Sequence, residues 1–441
     1  MFTRKSTICH FYFITLYPQH NDDYTMHIAI IGAGAAGCFA AINLKRMSNS
    51  ADITLYESGT KPLAKVAVTG GGRCNLTNSF EDVKSMAQVY PRGEKLMKRL
   101  FHEFSHHDAY EWFEREGVRL VTQDDRCVFP KSQDAMEIVD TLLRLIDRHH
   151  IKVCTHHRVA HIQKHCGEDK PAEAGQGFTI HFSDPTITSA HADIVVVTTG
   201  GQPKAEGMDM LRDFSLEILT PVPSLFSICL PRHTITEHTG TVVDDVDVCL
   251  IGTKHKASGA LLITHWGMSG PAILRLSSYA ARTLHENDYK AKLSVNWFGG
   301  SNEADVLAQL SAIAAENPQK QLTTAHPYNI NGRLWNHLLR LCDIRPEQKW
   351  VELGRKSYNR LVSTLTNNIY EIEGKNRFKE EFVTCGGVSL SNVNMHTLEC
   401  RTCQGLYFAG EILDVDAVTG GFNLQAAWTM GYVVAKSIAA I

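Results

Sequence analysis

The chain has 441 residues, more than one hydrophobic core ordinarily supports, so two or three lobes are expected. Its 44% hydrophobic and 21% charged content, with no run of about 20 apolar residues, describes a soluble globular protein without a membrane span. A net charge of −3 offers no polyanion-binding field, so no nucleic-acid partner is expected; the twelve cysteines, scattered without framework spacing, fit the reduced thiols of a cytoplasmic protein.

Residues 1–25 carry an apolar patch, Ile8 to Tyr17, behind Lys5. The patch contains His10, lacks a small-residue cleavage site and is followed by Gln19-His20-Asn21-Asp22-Asp23. It reads as a dispensable extension rather than a secretory signal. Met26 stands directly before His27-Ile28-Ala29-Ile30-Ile31, an uncharged run expected as a buried parallel strand. Gly32-Ala33-Gly34-Ala35-Ala36-Gly37 follows. Gly32 permits a tight turn, Gly34 lets the backbone approach a pyrophosphate, and Gly37 lets the next helix pack on the strand. A second strand, Asp52 to Tyr56, ends in Glu57, about 20 residues on, where a carboxylate receives ribose hydroxyls. Strand, glycines, helix and terminal acid together predict a dinucleotide site.

Residues 61–79 read as a loop that includes Lys65 and Thr69-Gly70-Gly71-Gly72-Arg73-Cys74-Asn75. Three consecutive glycines destabilise helix or strand, so the run suits close approach to a ligand, with Arg73, Asn75 and the amides as donors. Cys74 beside Arg73 reads first as a small buried residue packed on the cofactor and second as a nucleophile. A helical stretch is expected from Gly93 to Gly117, a short strand or turn at Cys127–Pro130 and an amphipathic helix over Ala135–His149. Val153–Gln163 and Gly177–Phe182 read as strands of a small antiparallel insertion, with the Val159 backbone near the adenine. Ile194 to Thr199 returns to the parallel sheet and closes on Gly200-Gly201.

From Pro203 to Lys379 alternating strands are expected at 224–230, 242–250, 260–264 and 292–298, then helices at 303–316 and 333–341. Thr264 to Pro271 reads as a strand-to-helix switch, where His265 is either a structural histidine of a capping turn or a weak candidate proton donor. Cys400-Arg401-Thr402-Cys403 lies in a turn before a strand and is not expected to be redox-active. The strand Leu406 to Phe408 leads to Gly410-Glu411, and Gly420-Gly421-Phe422-Asn423-Leu424 opens the last helix, whose N-terminus favours a reduced, anionic flavin. The expected organisation is an α/β, Rossmann-like two-dinucleotide-binding FAD domain built from residues 26–203 and 381–441, the extension 1–25, and an inserted, mostly β lobe with a helical appendage over 204–380. The expected FAD contacts are Gly32, Ala33, Gly34, Ala35, Ala36, Gly37, Glu57, Lys65, Gly71, Gly72, Arg73, Cys74, Asn75, Val159, Thr199, Gly200, Gly201, Gly410, Glu411, Gly421, Phe422, Asn423 and Leu424. No zinc-type spacing is present, so no metal is expected.

The segments Lys65…Thr69-Gly-Gly-Gly-Arg-Cys-Asn-Leu-Thr-Asn78, Thr264-His-Trp-Gly-Met-Ser-Gly-Pro-Ala-Ile-Leu274, Gly410-Glu-Ile-Leu-Asp-Val-Asp416 and Thr419-Gly-Gly-Phe-Asn-Leu-Gln-Ala-Ala-Trp428 resemble one bacterial family, the BaiN-type flavoproteins, also labelled NAD(P)/FAD-dependent oxidoreductases or the aminoacetone oxidase family. The resemblance runs from Met26 to Ile441 and implies bound FAD, an inserted lobe, and in one branch reduction of carbon–carbon double bonds in bile-acid intermediates. The chain departs from the family pattern at Cys400-x-x-Cys403 and in residues 1–25. The expected activity is hydride transfer to an unsaturated or carbonyl-bearing organic substrate admitted near Thr264 to Pro271. NAD(P)H is the expected donor, and with a single strand-linked GxGxxG it binds transiently. An amine oxidase and a non-catalytic or RNA-modifying flavoprotein are the alternatives. Oligomeric state is not legible.

Overall fold

A computed structural model describes residues 25–165, 177–202, 204–231, 233–376 and 383–441. All but Thr25 of the expected extension, and the expected boundary positions 203, 380 and 381, lie outside the described residues. The glycine-flanked apolar runs assemble a five-stranded parallel sheet in the order Leu406–Phe408, Ile194–Val197, β1 (His27–Ile31), β2 (Asp52–Tyr56) and Lys152–Cys154. Strands from both ends of the sequence therefore pair directly, as Val195 with Leu406 and Ile28 with Ile194. Helix α1 (Ala35–Met47) lies against the C-terminal helix Phe422–Ala439, and a Cβ at Gly431 would stand 2.7 Å from the Ala36 carbonyl oxygen. That glycine sets how closely the two helices approach.

The middle of the chain forms a seven-stranded antiparallel sheet ordered Asn368–Ile372, Ala291–Asn296, Val242–Leu250, Lys256–Thr264, Gly267–Ser269, Ile228–Cys229 and Gly374–Lys375. Helices Glu303–Glu316, Gly332–Leu341 and Arg355–Thr366 share its core through Val306, Trp335 and Leu361. One buried core gathers residues from Ile28 to Phe214 and from Val388 to Ile438; a second gathers residues from Phe226 to Ile372. Between them, Ile218–Ser224 pairs antiparallel with Val383–Val388.

Several expected elements differ. The stretch 93–117 is two helices, Glu94–Leu100 and His106–Arg115, because Ser105 and Asp108 form a capping box that starts a new helix. Segment 61–79 begins as helix at Ala64 and leaves helical geometry at Thr69, Gly70 and Gly71. Lys152–Cys154 joins the parallel sheet, so only Val159–His165 belongs to the small antiparallel insertion, paired with Gly177–Phe182. Thr264 to Pro271 is a tight hairpin, Thr264 opposite Gly267, before the helix Pro271–Tyr279 begins. The expected strand at 224–230 is displaced: Ile218–Ser224 precedes it and Ile228–Cys229 is short.

Candidate functional site

Gly32 turns the chain after β1 with φ at 106°, a region that favours glycine, and a Cβ there would lie 2.5 Å from the Thr198 carbonyl oxygen. At Gly37 a Cβ would lie 2.0 Å from the Gly32 carbonyl oxygen. Gly34 is different. Its backbone is extended, and a Cβ would meet nothing within 4 Å. The protein fills the space beside Gly32 and Gly37 and leaves it open beside Gly34. No side chain caps α1 at Gly34, and its first turn carries no acid, so the helix N-terminus keeps its partial positive charge and free amides for an anion.

Glu57 ends β2 next to this turn. Its Oε2 accepts from the Ala33 amide at 3.0 Å and its Oε1 from the Gly59 amide at 2.7 Å and the Ser58 hydroxyl at 3.3 Å, which fixes the carboxylate and leaves Oε2 a lone pair for a hydroxyl. Val159 pairs with Phe182 where a register shift bends the strand before His161.

The second glycine run folds beside the third. Gly70, Gly71 and Gly72 all have positive φ; a Cβ at Gly70 would press on the Asn75 amide at 2.9 Å, whereas Gly71 and Gly72 face open space. In the amide orientation that satisfies both neighbours, Asn75 donates to the Thr77 carbonyl at 3.0 Å and accepts from the Gly421 amide at 3.1 Å. Thr77 donates to Gln425 Oε1 at 2.6 Å, Asn78 to the Gly420 carbonyl at 3.0 Å, and the Trp428 indole to the Leu76 carbonyl at 3.0 Å. Four contacts thus staple the glycine loop to the start of the C-terminal helix, which no side chain caps. Arg73 is exposed, lies 4.5 Å over the Phe129 ring and donates to the Gly70 carbonyl.

Gly410 has φ at 83°, with Ala36 3.1 Å from where its Cβ would stand. Glu411 accepts from the Thr384 amide at 2.7 Å and stands 3.5 Å from the largely exposed Lys65 ammonium. A Cβ at Gly201 would collide with Glu411 Oε1 at 2.4 Å. Beside Gly200 the Thr199 hydroxyl is buried without a partner. The structure thus brings Gly410 against α1, Glu411 against Lys65 and Gly200-Gly201, and Asn75 against Gly421. Open glycine faces, two uncapped helix N-termini and an orphaned hydroxyl fit a dinucleotide; Gly34 and the Ala35–Gly37 turn would face its phosphates, Glu57 a ribose, and the glycine loop with Gly421 the flavin.

The side chains of three expected contacts, Asn423, Phe422 and Leu424, also serve the fold. Asn423 exchanges two 2.9 Å hydrogen bonds with the Ala417 backbone, so its amide holds the preceding loop. Phe422 is buried against Phe80 and Tyr90, and Leu424 packs against the same core. Cys74 is fully buried; burial pushes its thiol up to about 12, so it is a thiol at neutral pH. His265 is exposed on the hairpin tip against the Trp266 ring, while Thr264 Oγ1 accepts the Gly267 amide and closes the turn. Cys400 and Cys403 are both buried.

Sequence reasoning missed Arg92 and Asp416. Asp416 is fully buried in the loop between Glu411 and Gly421; Arg92 pairs with it, and Ser224 donates to it at 2.6 Å. Arg92 also donates to the Ser278 carbonyl at 2.9 Å, tying that loop to the middle sheet's first helix. The paired carboxylate keeps the Arg92 guanidinium charged despite burial. Asp416 lies inside the quoted Gly410–Asp416 segment, but nothing in its spacing pointed to a partner 324 residues away. An open hollow of about 480 Å³ adjoins the staple, lined by Thr77, Asn78, Phe80, His106 and Tyr110 among others. No metal-competent group occurs among the described residues, nor any helix long and apolar enough to cross a membrane.

The chain is similar to several known proteins. The chain is 28% identical to a 3-dehydro-bile acid delta(4,6)-reductase of Clostridium scindens, over 93% of this chain and 98% of that one. It is 26% identical to a ribosomal RNA dihydrouridine synthase of Escherichia coli K12, over 93% and 97%. A solved 3-ketosteroid-delta4-(5alpha)-dehydrogenase from Rhodococcus jostii RHA1 is similar at 12% identity and a TM-score of 0.48, covering 96% of this chain and 99% of that one. The model of the HI0933-like protein Rossmann domain matches residues 26–437. The chain belongs to that family and is an FAD-dependent oxidoreductase.

Proposed function

We propose that this protein reduces a carbon–carbon double bond conjugated to a carbonyl, with NAD(P)H as the electron source. The observation that carries the reading is the pair of relatives at near full length: one is named for reducing a 3-dehydro-bile acid at its delta(4,6) positions, the other for making dihydrouridine. Both names describe saturation of an alkene in conjugation with a carbonyl, on very different carriers. Bound FAD supplies a hydride donor when reduced. The chain's part is to hold and polarise: Gly34 and the start of α1 take the phosphates, Glu57 a ribose, and Arg73, Asn75, Gly410, Glu411 and the Gly421 helix terminus the flavin half. The reaction adds a hydride to the β-carbon and a proton to the α-carbon, so an acid or ordered water is required; His265 stands exposed at a hairpin tip.

Anaerobic mixing of the yellow holoenzyme with NADPH or NADH tests the donor. Rapid bleaching of the flavin band by either supports a reductase. Bleaching by an amine alone favours the oxidase alternative and removes this reading.

A further inference from the structure

The helix Pro271–Tyr279 starts directly after the Thr264–Ser269 hairpin and buries Ala272, Ile273 and Leu276 in the core of the middle sheet. Arg275 and Tyr279, one turn apart and so on one face, are only partly buried. This end of the helix meets the FAD domain. The Tyr279 hydroxyl donates to the Gln88 carbonyl at 2.7 Å, and the Ser278 carbonyl accepts from Arg92 at 2.9 Å. Arg275 is tied down differently. Its Nη1 donates to the Ser258 carbonyl at 3.2 Å, and among the described residues no carboxylate pairs with it. Gly259 lies alongside, where a Cβ would stand 3.6 Å from that Nη1. Most of the guanidinium's fork of N–H groups is left for another acceptor.

The charge of Arg275 is felt at the glycine loop. Burial pushes the Cys127 thiol up to about 11, and the Asn75 side chain and the Arg275 charge act against that rise, so the arginine's field crosses from the middle lobe to the FAD domain. Cys127 and Phe129 share one face of the strand Cys127–Pro130, about 7 Å apart along it. Arg73 lies 4.5 Å over the Phe129 ring, and that ring would stand 3.2 Å from a Cβ at Gly70. One strand face therefore looks at two cations, Arg73 from the glycine loop and Arg275 from the other lobe, with Asn75 and its Gly421 contact beside them. Neither arginine has an acid partner among the described residues. Cations kept free of carboxylates suit a place where an oxygen takes on negative charge.

We infer that Arg275 holds the carbonyl oxygen of the substrate and bears the negative charge that hydride addition places on it. The inference rests on the alkene reduction proposed above and names the residue that stabilises its charge. Arg73 belongs to the loop assigned to the flavin, whereas Arg275 belongs to the lobe left for the substrate. The arriving hydride bonds to the β-carbon, the alkene pair moves into the bond between the α-carbon and the carbonyl carbon, and the carbonyl π pair moves onto oxygen. A proton delivered to the α-carbon by an acid or ordered water then restores the ketone, and NAD(P)H supplies the electrons. Arg275 gives up no proton, since a guanidinium stays charged throughout. A cation already in place needs no reorganisation when the charge appears, so its effect falls on rate.

Two measurements on the FAD-bound protein read this role. In anaerobic stopped flow, Arg275→Gln should slow reoxidation of the reduced flavin by a small cyclic enone on the order of 100-fold. Bleaching by NADPH, reoxidation by ferricyanide, flavin content and melting temperature should match the parent, and Arg275→Lys, which keeps the charge, should recover part of the enone rate. The second measurement needs no turnover. p-Nitrophenol carries its charge on one oxygen, as the enolate does, and its phenolate absorbs visibly. The oxidised parent should bind it as phenolate at a pH below the free phenol's pKa, and Arg275→Gln should weaken that binding on the order of tenfold. A parent-like enone rate in Arg275→Gln, phenolate affinity equal in the two proteins, or a matching fall in flavin content and melting temperature overturns the inference. A parent that reduces no enone sinks the reductase reading instead, and the phenolate comparison still decides whether Arg275 receives an oxyanion.

Discussion

Gly34 and Gly37 stand three residues apart and are glycine for opposite reasons. At Gly37 the protein occupies the space a Cβ would need; at Gly34 nothing does, and the extended backbone would accept any residue. Gly34→Leu is therefore expected to keep the apo fold and its melting temperature while weakening FAD binding on the order of 100-fold, about 2.7 kcal/mol, through loss of phosphate contact. Flavin absorbance after gel filtration, set beside a melting curve of the stripped protein, checks it; parallel losses in both would make Gly34 structural. These roles were legible because a tight turn, a close approach and a helix packing each demand glycine at a fixed offset. The loop-holding role of Asn423 was not legible for the complementary reason: an amide at a helix start can serve a ligand or its own loop, and the Ala417 contacts are visible only in the fold.

At the scale of elements, buried histidines in the appendage make stability depend on pH. His337 is buried on the helix Gly332–Leu341, with its ring 4.7 Å from that of His238. Burial first, then His238, His233 and Arg340, lower it from 6.5 to about 4. A folded-state value below the unfolded one means the unfolded chain binds the extra proton, so this contribution is complete above pH 6.5 and is lost as pH falls towards 4. Chemical denaturation between those pH values should show a loss on the order of 2 kcal/mol, and His337→Leu should flatten it. An unchanged slope in that variant would assign the acid sensitivity to other groups. Elements with strong period and flanking glycines, such as β1 and the C-terminal helix, were readable from sequence. The break at Ser105 and the hairpin at Thr264–Gly267 were not, because a capping box overrides a continuous helical pattern and a returning strand of only Gly267–Ser269 is too short to show alternation before the helix begins.

Across the whole molecule, the cofactor half was more legible than the substrate half. Both ends of the chain meet in one parallel sheet, and the motifs that hold a dinucleotide carry backbone constraints that any sequence must obey. Substrate choice carries no such grammar. The most direct measurement of the central claim is product analysis after anaerobic incubation of the FAD-bound enzyme with excess NADPH and a small conjugated enone. The account predicts a saturated ketone that has gained one hydride at the β-carbon and one proton at the α-carbon, formed without oxygen. An untouched alkene beside a flavin that NADPH has reduced, or an allylic alcohol from attack at the carbonyl, would contradict it.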